Sequence, residues 1–297
     1  MSEVLMCEAN VSEGRRTEVV EAFVEAVRSV EGVSIADWSA DADHHRAVIT
    51  FLGPPERVLE AAKALAREVL ERIDMRQHAG EHPRQGALDV VPFIPLRGVD
   101  TERAVAIARA FGEWLGGQGV PVYYYEDAAT RPERQSLPGI RKGEYEALEE
   151  KLKDPAWAPD AGPAEFNPKA GATVTGARFP LIAFNVNLRT EDLEIARMIA
   201  RAVRHISGGY KAVRGMGFAL EDKKMVQVSM NLVNYTETPI PRVLETVRSE
   251  AARHGVQVAG TELIGPVPLG ALEEVVRHYL QTHDFRTEQV VETALLP

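Results

Sequence analysis

The stretch DMRQHAGEHPRQGALDVVPFIP, residues 74–95, joins a polar segment to an apolar one. Its first part crowds titratable side chains between glycines and prolines, which disfavour a continuous helix. Its last part, Leu88–Ile94, is typical of a buried strand. We therefore predict a shaped loop that holds polar side chains at a site and then enters the sheet.

One metal motif fits this loop by spacing alone. His78-Ala79-Gly80-Glu81-His82 matches the H-x-x-E-H pattern of inverted zinc proteases. That chemistry needs both histidines on one face of a helix, and Gly80 and the following Pro83 disfavour a helix here. No downstream carboxylate on a clear helix offers a third ligand. We therefore predict no metal site. The alternative to a zinc site is a polar loop with one or two hydrogen-bonded histidines.

Composition limits the class of protein. The chain has 297 residues, of which 45% are hydrophobic and 26% charged, as expected for a packed protein of two ordinary domains. The formal net charge of -10 argues against a nucleic-acid partner, because phosphate binding needs a basic face. Anionic small molecules are compatible with it, because they need only a local cluster of Arg and Lys.

The number of cysteines bears on disulfide and metal chemistry, and the N-terminal sequence bears on the location of the protein in the cell. Cys7 is the only cysteine, so one chain can form neither a disulfide nor a cysteine zinc site. It ends an apolar run, so we predict a buried small residue rather than a catalytic thiol. We find no signal peptide and no apolar run of membrane-spanning length. We expect a soluble cytoplasmic protein without a membrane partner.

Strand and helix patterns alternate regularly over the first 125 residues. The first six predicted elements follow the order strand, helix, strand, strand, helix, strand, which is the split βαβ or ferredoxin-like pattern. The predicted strands are Val4–Asn10, Val33–Trp38, Ala47–Leu52, Leu88–Ile94 and Val120–Tyr125, and the predicted helices begin at Thr17, Glu56 and Asp100.

The pattern recurs in the second half of the chain. Residues 126–178 are rich in charge, Pro and Gly, and we interpret them as an ordered linker or substrate loop with a helix over Glu144–Lys153. The same element order then starts at Phe179, and Arg57-Val58-Leu59-Glu60 has a match in Arg242-Val243-Leu244-Glu245, each after paired prolines. The second-half strands are Phe179–Leu188, Val213–Leu220, Met225–Val233 and Ala259–Val267, with helices from Thr190, Pro239 and Pro268.

These patterns predict an α+β fold of two related ferredoxin-like subdomains, residues 1–178 and 179–297. Each has a mixed sheet with helices on one face. Either the open sheet faces or the cleft between the halves would hold a ligand.

Several short motifs, in the same order along nearly the whole chain, resemble glutamate formiminotransferase. Each motif is weak alone, but together they are specific. They include Asn10-x-Ser12-Glu13-Gly14-Arg15, Gly80-Glu81-His82-Pro83-Arg84, Asp89-Val90-Val91-Pro92-Phe93, Arg141-Lys142-Gly143-Glu144-Tyr145-Glu146 and Gln227-Val228-Ser229-Met230-Asn231-Leu232. The family's two ferredoxin-like subdomains, usually in a homodimer, agree with the element order inferred above.

The resemblance implies an enzyme of histidine breakdown. It would move the formimino group of N-formimino-L-glutamate to N5 of tetrahydrofolate, its co-substrate, without a fused cyclodeaminase domain. The family's catalytic histidine corresponds to His82. N5 attacks the amidine carbon, and the intermediate must lose a proton from N5 while the nitrogen of glutamate gains one. An imidazole with a pKa of about 6.5 can do both.

The resemblance also assigns binding residues. Asp41 and His44 would orient His82 or bind the pterin, with ordinary turn polarity as the alternative. Because both ligands are anionic and the protein is net acidic, Arg46, Arg84, Lys169 and Arg178 are candidates to pair with substrate carboxylates, and a solvated or structural role is the alternative for each one. The family's folate-contacting segment corresponds to Pro163, Ala164, Glu165, Phe166, Asn167, Pro168, Lys169, Ala170, Gly171 and Ala172.

The chain also departs from the family pattern. Glu8-Ala9 stands where relatives usually have Val-Pro, and His45 stands where Asn is usual. Two other functions therefore remain open at this point. One is formyl transfer between glutamate and tetrahydrofolate, and the other is folate binding without turnover.

Overall fold

The computed structural model describes residues 3–80 and 83–295. The chain divides into two compact units, Met1–Arg178 and Phe179–Pro297. Each unit is a sheet that carries its long helices on one face, so the predicted α+β class with two subdomains is confirmed.

The first unit contains a six-stranded mixed sheet with the order β2-β3-β1-β4-β6-β5. Strands β4, β6 and β5 run parallel to one another, and the other pairs are antiparallel. The strands are β1 (Leu5–Val11), β2 (Ser34–Asp41), β3 (Arg46–Gly53), β4 (Leu88–Pro95), β5 (Val122–Glu126) and β6 (Thr173–Ala177). The helices are α1 (Thr17–Arg28), α2 (Pro55–Arg72), α3 (Thr101–Gly116), α4 (Leu137–Arg141) and α5 (Leu148–Lys151).

The amphipathic pattern of the helices explains this arrangement. Helix α1 buries Val20, Phe23 and Val27 at helical spacing against the sheet. Helix α2 begins with Pro55. The first turn of a helix tolerates proline, because a backbone N–H at that position has no partner within the helix. Cys7 is fully buried in the same core, as predicted.

The second unit repeats the plan with fewer strands. Its sheet has the order β10-β7-β9-β8, which matches the order β4-β1-β3-β2 of the first unit. All its strand pairs are antiparallel. The prediction of a mixed sheet is therefore wrong for the second unit. The strands are β7 (Ile182–Leu188), β8 (Val213–Leu220), β9 (Met225–Leu232) and β10 (Val258–Ile264). The helices are α6 (Leu193–Val203), α7 (Ile240–Arg253) and α8 (Leu269–Leu280).

Residues 126–178, interpreted as an ordered linker or substrate loop, also contain a strand that the sequence analysis did not predict. They contribute β6, which lies between β4 and β5 and is buried along its whole length. The hydroxyls of Thr173 and Thr175 donate to the carbonyls of Leu88 (2.6 Å) and Val91 (2.8 Å). The segment also closes a second apolar cluster on this part of the sheet, which includes Val90, Tyr123, Tyr125, Ile140, Leu148 and Val174.

The helix predicted over Glu144–Lys153 is also interrupted. The structure has a 3-10 turn at Tyr145–Ala147 followed by the short helix α5. Across residues 3–80 and 83–295, every helix is too short or too polar to span a bilayer.

Candidate active site

Polar side chains gather at one end of the first sheet. Val11, the last residue of β1, pairs with Ala47 near the start of β3 and with Leu88 at the start of β4. This antiparallel register brings the segment after β1 beside the segments that precede β3 and β4. Glu13 and Arg84 in these segments, and Asp89 at the start of β4, are at most 7% exposed. Buried charges of this kind need partners, and each one has them.

Glu13 is a fixed carboxylate just before α1. Its Oε1 accepts the backbone N–H groups of Gly14 (3.0 Å), Arg15 (2.9 Å) and Arg16 (3.0 Å), and its Oε2 accepts Nε of Arg16 at 2.6 Å. Burial disfavours the ionised form, but these hydrogen bonds outweigh it and lower the pKa of Glu13. Gly14 is required here because a Cβ would lie 2.1 Å from the carbonyl oxygen of Asp41.

Two stacked histidines lie beside Glu13. The rings of His45 and His78 are 4.2 Å apart between centroids and nearly parallel, at 11°. Nδ1 of His45 donates to the carbonyl of Ala79 (2.9 Å), because a carbonyl oxygen only accepts, and its Nε2 lies 3.3 Å from Oε1 of Glu13. His45 has a positive φ of 50°, a backbone conformation that Asn adopts more readily than most residues.

The hydrogen bonds of His78 define its protonation state. Nε of Arg84 approaches Nδ1 of His78 at 3.3 Å, and Nε2 of His78 lies 3.0 Å from the carbonyl of His45. A guanidinium only donates, so Nδ1 accepts and Nε2 carries the proton. Burial is the main cause that lowers the pKa of His78, which agrees with a neutral ring.

Arg84 ties the loop to a later part of the chain. Its Nη1 lies 3.0 Å from Glu144, and its Nη2 lies 2.5 Å from Glu146. Burial opposes the charge, but these two carboxylates raise the pKa of Arg84. The backbone N–H of Tyr145 also donates to the carbonyl of Arg84 at 2.9 Å. Arg84 was expected to bind a substrate carboxylate, but in the structure it is paired with two carboxylates of the protein.

Asp41 and His44 form the turn between β2 and β3. Oδ1 of Asp41 accepts the backbone N–H groups of Asp43 (2.9 Å) and His44 (2.8 Å), and its Oδ2 lies 3.0 Å from Nδ1 of His44. The hydrogen bonds from the backbone and then the ring of His44 lower the pKa of Asp41. Both side chains are about half exposed, 52% and 49%, at the rim of the site.

Asp89 lies at the base of the site. Its Oδ1 accepts the backbone N–H of Gln85 at 2.8 Å, and its Oδ2 forms an ion pair with Arg141. Burial raises the pKa of Asp89, and Arg141 opposes that rise. Arg46 lines the same narrow slot as Asp89. Arg178 lies farther along the sheet, in an ion pair with Glu8 of β1.

The predicted folate segment, residues 163–172, packs beside the strand that leaves the loop. The backbone N–H of Ala87 donates to Ala170 (2.8 Å), and that of Ala172 donates to Gln85 (3.0 Å). Gly171 has a φ of 68°, and a Cβ there would lie 2.2 Å from the carbonyl of Gln85. Lys169, in the same segment, directs its ammonium to the carbonyl of Glu71 (3.2 Å). The structure thus brings the predicted folate segment to the loop, and His82 itself lies outside the described residues.

A cavity of about 230 Å³ opens next to the histidine stack. Its polar walls combine two carboxylates, two imidazoles and two arginines, which suits a small charged ligand. The lining residues are Ser12, Glu13, Arg16, His45, Arg72, Ile73, Asp74, Gln77 and His78. Within the described residues, no three His, Cys, Asp or Glu side chains converge to hold a metal ion.

Sequence reasoning missed several residues of this site. Glu13, Arg141 and the pair Glu144 and Glu146 were noticed only as parts of motifs, and His45 only as a departure from the family pattern, without an assigned role. Their signal was the recurrence of charged residues inside motifs that were otherwise Gly- or Pro-rich. Their partners lie up to 62 positions away in the chain, as in the contact between Arg84 and Glu146, so local patterns could not pair them.

Comparisons with known proteins agree over both units. The family model for the formiminotransferase domain, N-terminal subdomain, matches residues 4–178. The family model for the formiminotransferase domain matches residues 183–295. A glutamate formimidoyltransferase of Streptococcus pyogenes serotype M1 is 44% identical over 298 residues, covering 100% of both chains. One from Thermoplasma acidophilum is 46% identical, covering 96% of this chain and 95% of its own length. The formimidoyltransferase-cyclodeaminase of Rattus norvegicus is 47% identical over 94% of this chain and 53% of its own.

Proposed function

This chain belongs to the formiminotransferase family of transferases, and we propose that it transfers the formimino group of N-formimino-L-glutamate to N5 of tetrahydrofolate. The products are 5-formiminotetrahydrofolate and L-glutamate. The observation that carries the proposal is the 44% identity to a glutamate formimidoyltransferase over the full length of both chains. Following the resemblance, tetrahydrofolate is the co-substrate, no metal is required, and the protein acts as a cytoplasmic homodimer.

His82 is the general acid and base of this reaction. N5 of the folate attacks the amidine carbon and forms a tetrahedral intermediate. A proton then moves from N5 to the nitrogen of glutamate, and the bond between that nitrogen and the amidine carbon breaks to release L-glutamate. An imidazole accepts the first proton and delivers the second near neutral pH. The described flanks support this role, since His45 holds the carbonyl of Ala79, and Glu144 and Glu146 hold Arg84. Ala79 and Arg84, on either side of His82 in the sequence, are therefore each bound to another part of the chain.

The folate-binding segment is residues 163–172. Two observations support this assignment. Asn167 organises the segment by accepting the N–H groups of Lys169 (3.1 Å) and Ala170 (3.0 Å) through its Oδ1. The segment also hydrogen-bonds to Gln85 and Ala87, which follow the loop of His82 in the chain. A pterin held by this segment lies beside Gln85 and Ala87.

The decisive experiment measures transfer with purified protein. We expect tetrahydrofolate-dependent consumption of N-formimino-L-glutamate, unchanged after treatment with a chelator. His82→Ala should lower kcat by about a hundredfold or more, since a general acid or base contributes about 10² to 10⁴. His254→Ala, at an exposed histidine just after α7, is the matched control and should keep full activity.

Three results would contradict parts of this proposal. An unchanged rate in His82→Ala rejects the role of that residue. Faster turnover of N-formyl-L-glutamate, assayed in parallel, indicates formyl transfer instead. Folate binding without transfer from either donor indicates a binding protein.

A further inference from the structure

The segment that follows α4 is fastened to Arg84 at three points. The backbone N–H of Tyr145 donates to the carbonyl of Arg84 at 2.9 Å. Nη1 of Arg84 donates to Oε2 of Glu144 at 3.0 Å, and Nη1 and Nη2 donate to the two carboxylate oxygens of Glu146 at 2.9 and 2.5 Å. One guanidinium charge therefore faces two carboxylates of the protein.

The two carboxylates do not hold Arg84 in the same way. Glu146 forms a bidentate pair with the guanidinium, which is the strong and directional form of this contact. Glu144 uses only Oε2, which also lies 3.4 Å from the backbone N–H of Arg84. Because Glu146 alone matches the charge and the fork of Arg84, Glu144 is the surplus carboxylate.

The backbone of Glu144 is strained. Its φ is 58° and its ψ is −159°, a combination that glycine adopts freely and that residues with a Cβ rarely adopt. Its own N–H donates to the carbonyl of Arg141 at 2.8 Å, and the next N–H donates to Arg84. Strain of this kind persists only where the surrounding contacts hold it. Release of the Glu144 carboxylate removes one of these contacts and favours relaxation of the backbone.

The contact between Arg84 and Glu144 can be reached from solvent. The side chain of Glu144 is 39% exposed, whereas that of Arg84 is 9% exposed. An incoming carboxylate needs no empty space beside the guanidinium, because it takes the place that the carboxylate of Glu144 leaves. The buried arginine is therefore covered by a group that another anion can replace.

We propose that Glu144 is a displaceable occupant of Arg84, and that a carboxylate of a substrate replaces it. The inference rests on the proposed function, in which the formimino donor and the folate both carry glutamyl carboxylates. Relief of the strain at Glu144 favours the exchange. Glu146 stays on the guanidinium and keeps it oriented while the exchange takes place.

The test compares the two glutamates. Glu144→Gln removes the competing charge and keeps the shape of the side chain, so KM for the substrate that binds Arg84 should fall by about threefold, with a smaller change in kcat. Glu146→Gln weakens the pair that orients Arg84 and should raise this KM. Glu149→Gln, at an exposed glutamate on α5, makes the same change of charge and should match the parent protein.

The substrate whose KM falls is the one that supplies the carboxylate, either N-formimino-L-glutamate or tetrahydrofolate. An equal fall in Glu144→Gln and Glu146→Gln would indicate a general effect of charge and would overturn the inference. Parental KM values for both substrates in Glu144→Gln would also overturn it and leave the proposed function intact. If the parent protein shows no transfer, calorimetric titration of N-formimino-L-glutamate and of folate into the parent and Glu144→Gln tests the exchange alone, and equal affinities would reject it.

Glu144→Gly tests the strain separately. Glycine adopts this backbone conformation freely, so the variant should unfold at the same denaturant concentration as the parent or a higher one, although it loses a contact with Arg84. A lower midpoint would show that this contact outweighs the strain. Glu144 would then be a fixed partner of Arg84, which contradicts the exchange.

Discussion

The two units share the order of four strands but differ in the polar side chains that they bury. In the first unit, Glu13, Arg84, Asp89 and Arg134 are buried, and all four are charged. The buried polar side chains described in the second unit, those of Asn187, Gln227 and Thr238, are all neutral. A ferredoxin-like sheet is therefore built here both with and without internal charges.

The polar side chains on the second sheet satisfy their hydrogen bonds without a buried charge. On its sheet, Nε2 of Gln227 donates to Oδ1 of Asn187 (2.8 Å), and Nδ2 of Asn187 donates to Glu262 (3.0 Å). Glu262 is partly exposed, so its charge stays in contact with water. Burying a charge is expensive unless it is paired. The concentration of such charges at one end of the first sheet is consistent with a functional site, and three changes test this contrast.

The largest effect is expected at Arg134, in the segment that sequence analysis interpreted as a linker. Nη1 of Arg134 lies 2.6 Å from Oδ2 of Asp160, and Nη2 donates to the carbonyl of Ala158 at 2.7 Å. Arg134→Met leaves Asp160 buried without its partner, which should lower the free energy of unfolding by about 3–5 kcal/mol. Denaturant titration measures this loss.

The control is Lys223→Met in the second unit, which breaks a half-exposed ion pair with Glu262. It should change the free energy of unfolding by about 1 kcal/mol or less. Equal small losses in both variants would show that the buried pair of Arg134 and Asp160 contributes little to the stability of the first unit.

An intermediate effect is expected at Glu13. Glu13→Gln removes the charge that three backbone N–H groups and Arg16 stabilise, so the free energy of unfolding should fall by about 1.5–3 kcal/mol at neutral pH. The pKa of Glu13 is lower in the folded state than its usual 4.5, so the unfolded chain binds more protons in acid. This stabilisation is present above about pH 4.5 and is lost as the pH falls below it. Chemical denaturation at several pH values should show a shallower acid slope for Glu13→Gln, whereas Glu262→Gln in the second unit should cost about 1 kcal/mol or less.

The smallest effect is expected at His78. Burial lowers its pKa below the usual 6.5, so the unfolded chain binds the proton more readily. The stabilisation from the neutral ring is complete above about pH 6.5 and is lost as the pH falls, with a slope of at most about 1.4 kcal/mol per pH unit. His78→Gln should flatten the pH profile of unfolding just below pH 6.5, and the exposed His254→Gln is the control. A parental profile in His78→Gln would mean that His78 has the same pKa in the folded and unfolded states, which contradicts this prediction.

The amino-acid sequence by itself determined the class of fold and the order of most elements. Helical spacing located α1 and α2, and the recurrence of the same element order predicted a second unit. The burial of Cys7 followed from its place in an apolar run. These features depend on neighbours in the chain, because periodicity records which face of a helix or strand meets the core.

Only the tertiary structure decided the place of β6 and the partners of the charged side chains. The segment Thr173–Ala177 is short and lies among Pro and Gly, so it resembles a loop until β4 and β5 supply its hydrogen bonds. The contacts of Arg84 with Glu146 and of Asp89 with Arg141 join residues more than fifty positions apart. Their strength comes from burial, and burial is a property of the packed chain rather than of any local pattern.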